Sequence, residues 1–154
     1  MNATIDYQNH ILTYLQERFG TELLAVVLFG SRVHHTAKAF SDIDLLVILN
    51  GLPKEPRKRR QLAAIIRREV AFPTDVTLLS PPTFIDSVRY CAPLMIELAC
   101  AHEIWFEKTS FFSSHIQFLR ALMQEGKLIP LQSGVWKLAE NVDEMATDGI
   151  GVLA

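Results

Sequence analysis

From Leu23 to Phe29 the chain reads LLAVVLF, an apolar run without a polar interruption. A run this short and this uniform is a strand buried on both faces, because a half-exposed strand alternates polar and apolar residues. Gly30 and Ser31 end it. A second short run, Ile43 to Leu49, apolar apart from Asp44, follows Asp42 and is closed by Gly51 and Pro53. Pro73 delivers the chain into a third candidate, Thr74 to Leu79.

Between these runs lie helical patterns. Ile5, Ile11, Leu12, Leu15 and Phe19 recur at helical spacing, with Gly20 as the stop. Leu62, Ile65, Ile66 and Val70 share one face of a basic helix between Glu55 and Val70. Helical pattern resumes after Pro81 and Pro82 as far as about His102, with an interruption at Pro93, and Ile104 to Phe106 forms a short edge strand. Residues 109 to 125 give a further helix, and LIPLQSGVWKLAE reads as a turn with short strands. Helices alternating with apolar strands predict an α+β (α/β-like) fold, a small mixed sheet of about three to five strands flanked by helices. The 154 residues, 49% hydrophobic, suit a single domain over 1–154, since two would each be short of core.

Fifteen basic against seventeen acidic residues give a net charge of -2, which provides no field to hold a nucleic acid and disfavours a processive polymerase. No apolar run approaches a bilayer span and the N-terminus does not read as a signal peptide, so the expected location is the cytoplasm, with no membrane partner. Cys91 and Cys100 lack zinc spacing and are expected as reduced thiols.

The chemistry concentrates at Gly30-Ser31, ten residues of polar loop, and Ser41-Asp42-Ile43-Asp44 entering the second strand. Side chains i and i+2 of a strand share a face, so Asp42 and Asp44 project together. Two adjacent carboxylates repel unless a cation lies between them, and hard oxygen ligands beside phosphate suit Mg²⁺. Gly30 lets backbone N–H groups approach a phosphate, and Ser31 adds a hydroxyl. Asp75, with apolar neighbours in a presumed core strand, costs free energy there unless it is paired or ligates metal, which makes it the natural third ligand. Each feature alone is an ordinary strand exit, a solvated strand end or a local cap. Three of them on three consecutive strands favour the functional reading.

This pattern resembles the signature of the polymerase-beta-like nucleotidyltransferase superfamily, and most closely its minimal nucleotidyltransferases, small proteins commonly encoded beside HEPN-domain toxins. Some of these act as antitoxins by adenylylating the toxin. The resemblance covers residues 20–107, leaving 109–154 as a helical C-terminal extension. It implies a transfer of AMP from ATP, or another nucleoside monophosphate from its NTP, to an acceptor hydroxyl on a partner protein, a HEPN-type toxin. Gly30 and Ser31 would hold the β and γ phosphates; Asp42, Asp44 and Asp75 would bind two Mg²⁺ ions, with Asp75 helping to take the acceptor's proton.

Where relatives often carry small residues after the Gly-Ser pair, this chain has Arg32-Val33-His34-His35, bulk that narrows a triphosphate pocket. Arg32, His34 and His35 reach phosphates in one reading, with Arg32 assigned to nucleotide binding, and are solvent-exposed loop residues in the other. His10, His102 and His115 show no ligand spacing. The run Lys54, Arg57, Lys58, Arg59, Arg60 is a phosphate patch or, since no aromatic is interleaved, the solvated start of a helix; the helix dipole disfavours cations there. Two other functions compete: a non-catalytic antitoxin that occludes its toxin, and a transferase acting on a small molecule such as an aminoglycoside. The last needs an acceptor site that 154 residues provide only as a homo-oligomer.

Overall fold

The computed structural model describes residues 3–34, 41–130 and 136–138. Helix α1 (Ala3–Phe19) leads into strand β1 (Leu23–Phe29), then β2 (Ile43–Leu49), α2 (Pro56–Glu69), β3 (Thr74–Leu79), α3 (Pro81–Arg89), α4 (Pro93–Cys100), β4 (Glu103–Glu107), α5 (Phe111–Gln124) and the short pair β5 (Leu128–Pro130) and β6 (Trp136–Leu138). The three apolar runs are strands with the expected bounds. Helical pattern across 81–102 breaks before Pro93, which opens α4 in its first turn, where a missing N–H costs nothing.

Strand directions were not legible in the sequence. The order is β3-β2-β1-β4, with β1 antiparallel to both β2 and β4 and with β2 parallel to β3. The fold is therefore α+β, a four-stranded mixed sheet with five α-helices among the described residues. Parallel β2 and β3 need a crossover, and α2 supplies it.

The chain divides into two compact units: residues 1–81 with 102–109, and 82–101 with 110–154. In the first, Val26 and Leu28 of β1, Leu45, Val47 and Leu49 of β2 and Val76 of β3 join Ile11 and Leu15 of α1 and Ile66 of α2 in one core. The opposite parity, Ala25, Val27, Leu46 and Ile48, is buried as fully. Two-sided burial is why these runs lack polar alternation. The second unit buries Phe84, Met95, Leu98, Phe112, Leu119 and Leu122, and the Arg120 guanidinium donates to the Ala99 carbonyl at 2.9 Å. No described helix is long and apolar enough to cross a membrane.

Candidate active site

Register builds the site. Phe29, the last residue of β1, pairs with Asp44 of β2, and Asp44 in turn pairs with Asp75 of β3. The residue after Phe29 thus arrives beside the Asp44 carboxylate. Gly30 takes a φ of +78° and opens a single 3-10 turn, Gly30–Arg32, whose following N–H groups, Val33 and His34, both donate to the Gly30 carbonyl at 3.2 and 3.3 Å. A Cβ at Gly30 would collide with Asp44 Oδ2 and stand 3.0 Å from its Cγ. Both the backbone angle and the space reserve this position for glycine. The Gly30 backbone therefore lies against a half-buried carboxylate at a strand exit.

Asp42 and Asp44 bracket the start of β2, with Asp42 exposed and Asp44 half-buried. The Ile43 N–H between them donates to the Pro73 carbonyl at 2.8 Å, which anchors the start of β2 to the residue that enters β3.

Asp75 departs from its expected setting. Thr74 and Val76 are buried, whereas Asp75, on the Asp44 face at the very start of β3, is exposed. No burial cost attaches to it. Its partner is Arg67, from the last turn of α2, whose terminal nitrogen lies 3.1 Å from Asp75 Oδ1 while its Nε donates to the Thr74 carbonyl at 3.1 Å. Nothing in the motif points to Arg67. The available signal was its position: a cation in the last helical turn, where the dipole favours it, just before the proline that starts β3.

Arg32 is turned toward the protein. It donates to the Ser41 carbonyl at 2.8 Å and its guanidinium lies 5.4 Å over the Tyr7 ring, so it ties the end of the Gly-Ser turn to the residue preceding Asp42. Its Nε is buried without a hydrogen-bond partner among the described residues. These contacts make it a strut across the loop. His34 is exposed, and His35 lies outside the described residues. In the basic run, Arg59 donates to the Pro53 and Lys54 carbonyls at 3.1 and 2.9 Å, and Lys58 pairs with Glu55 at 3.5 Å, so part of that charge frames the start of α2. Cys91 is buried and Cys100 exposed, its thiol pushed up from the ordinary range by burial and then by the nearby Glu97.

Among the described residues no three His, Cys, Asp or Glu side chains stand ready as a metal cluster. The donor set nevertheless suits a hard divalent cation: Asp44 and Asp75 are cross-strand neighbours on one face, and Asp42 lies two residues ahead of Asp44.

Residues 9–98 match the family described as polymerase beta, nucleotidyltransferase. The chain is 25% identical over 137 residues to a candidate protein adenylyltransferase of Methanocaldococcus jannaschii, covering 86% of this chain and 92% of that protein. Its fold is shared with a toxin-antitoxin solved with AMP-PNP (TM-score 0.51, 21% identity, 77% of this chain and 90% of the other). It is also shared with a mutant MntA-HpeT toxin-antitoxin (TM-score 0.50, 20% identity, 77% and 90% covered).

Proposed function

Because the chain belongs to the polymerase beta nucleotidyltransferase family, we propose that it transfers AMP from ATP to a hydroxyl of a partner protein, the toxin of a toxin-antitoxin pair. The observation that carries the reading is the register Phe29–Asp44–Asp75, which sets Gly30 against one carboxylate and a second carboxylate beside it. The archaeal relative, described as a candidate protein adenylyltransferase, supports AMP as the group moved and a protein as acceptor, and the toxin-antitoxin solved with AMP-PNP is the ground for taking a toxin as that protein.

In this reading the backbone N–H groups of the Gly30–Arg32 turn and the Ser31 hydroxyl bind the β and γ phosphates, where Gly30 permits an approach that any side chain would block. The acceptor oxygen attacks the α-phosphorus as the bond to pyrophosphate breaks, and its proton passes to the Asp75 carboxylate. Asp42, Asp44 and Asp75 would hold a pair of Mg²⁺ ions, which when bound would supply Lewis-acid charge to the transfer. Arg32, donating to the Ser41 carbonyl, ties the Gly-Ser turn to the residue that precedes Asp42.

The test is incubation of the protein with α-labelled ATP, Mg²⁺ and the product of the adjacent gene. Label on that product with wild type and none with Asp44→Asn is the expected result. Labelling of neither, while toxin is still neutralised, replaces transfer with simple occlusion; labelling of an aminoglycoside moves the acceptor to a small molecule.

A further inference from the structure

Asp44 and Asp75 stand directly opposite on parallel strands, which lie about 4.8 Å apart. Like charges so placed destabilise a sheet. A countercharge on Asp75 is the Arg67 guanidinium, held by two hydrogen bonds, one to the strand backbone at Thr74 and one to Asp75 Oδ1. We propose that Arg67 is a latch on Asp75: it neutralises this carboxylate while no divalent cation is bound, and a cation gains Asp75 only by displacing it. The inference rests on Asp75 being a cation ligand in the proposed reaction.

Three features fit a latch better than a fixed structural bridge. Both side chains are about half exposed, at 53% and 55%, and an ion pair that open contributes at most about 1 kcal/mol, little enough for a divalent cation to outcompete. The guanidinium is anchored by its Nε to the Thr74 carbonyl, so it stays on the strand when Asp75 Oδ1 is withdrawn. The carboxylates are also not clustered as a finished metal site, in keeping with one of them being held by another partner. Arg67 is thus a positioning residue, acting through Asp75.

The test is calorimetric titration of Mn²⁺ into the full chain without nucleotide, which does not depend on transfer activity. Arg67→Ala is expected to bind Mn²⁺ about two- to fivefold more tightly than wild type, the range that an exposed ion pair allows. Arg67→Lys, which keeps the charge, should stay near wild type. Arg68→Ala, which removes an equal charge one residue away, should also leave binding unchanged, and Arg67→Ala should add nothing in an Asp75→Asn background. Unchanged, weaker or absent binding by Arg67→Ala, or an equal gain in Arg68→Ala, overturns the latch. Tightened binding in a protein that labels no acceptor keeps the latch and removes the proposed reaction, whereas transfer with unaltered binding does the reverse.

Discussion

The start of β2 and the aromatic cluster of the second unit are built on opposite rules. At β2, Gly30, Asp44 and Asp75 are positioned by backbone register, and a Cβ at Gly30 would collide with the Asp44 carboxylate. In the second unit, Phe84 lies 5.8 Å from Phe112 and 5.7 Å from His115, ring to ring, and His115 Nδ1 pairs with the Phe111 carbonyl at 2.8 Å. That cluster is held by volume. In the proposed reaction the first region carries the chemistry, whereas the second is built by close packing of buried side chains.

The sharpest way to break this contrast is Asp44→Asn. The proposed transfer should fall about 10⁴-fold, roughly 5.4 kcal/mol at 1.36 kcal/mol per decade. Melting temperature should move by no more than about 3 °C, since the change is isosteric and Asp44 is only half-buried. Labelled AMP transfer and calorimetry on one preparation measure both. A large loss of stability would show the carboxylate to be structural.

Phe112→Ala is the converse. Phe112 is fully buried, and truncating a buried phenylalanine costs about 3–5 kcal/mol, read by urea unfolding. Transfer per folded molecule should stay within about twofold, the scatter expected when a substitution touches no reacting group. A matching collapse of transfer would put the aromatic cluster inside the catalytic machinery.

Between these two in mechanism lies Gly30→Ala, with an expected loss of about 10²-fold in transfer, since a displaced phosphate cradle of 1 Å is worth that much. Stability should drop by more than about 1 kcal/mol, because φ is +78° and the added Cβ meets the Asp44 carboxylate. If Gly30→Ala retains full activity, the approach of backbone to the Asp44 carboxylate is incidental.

These contrasts also mark what the sequence could and could not convey. The strand bounds of β1 and β2 were legible because a short, almost wholly apolar run between Gly and Pro punctuation has few other conformations, and those of β3 because Pro73 and Pro81 bracket it. Helix α4 was legible through Pro93. The Gly-Ser and Asp-x-Asp motifs singled out Gly30 and Asp44 separately, but their contact follows from the pairing of β1 with β2 and was not legible. Nor was the Asp44–Asp75 pairing, because it depends on β2 and β3 running parallel, and strand direction leaves no local trace. The burial assigned to Asp75 failed because it lies at the very start of β3, exposed between its buried neighbours Thr74 and Val76. Arg32 and Arg67 are cases of tertiary context, one turned inward onto Ser41 and Tyr7, the other reaching across to a strand eight residues later. No charge count separates either from the solvated arginines around it.

The smallest expected effect probes a third setting, where a polar group contributes stability without chemistry. Tyr14 of α1 donates its hydroxyl hydrogen to Glu69 of α2, and Arg18 pairs with the same carboxylate at 3.2 Å. Burial, and then the hydrogen bond to Glu69, hold the Tyr14 hydroxyl protonated above its ordinary pKa of 10.0. A group whose pKa is raised on folding contributes its stability below the unfolded value, and the contribution is lost as pH climbs through the folded one. Tyr14→Phe should therefore cost about 0.5–1 kcal/mol at pH 8, a single hydrogen bond at a partly exposed site. The variant and wild type should converge as pH rises past 10 toward the folded pKa, because only wild type has a proton to lose there. Urea unfolding at pH 8 and pH 11 measures the difference, and a gap that widens at pH 11 would show the hydroxyl to be bound through its anion instead.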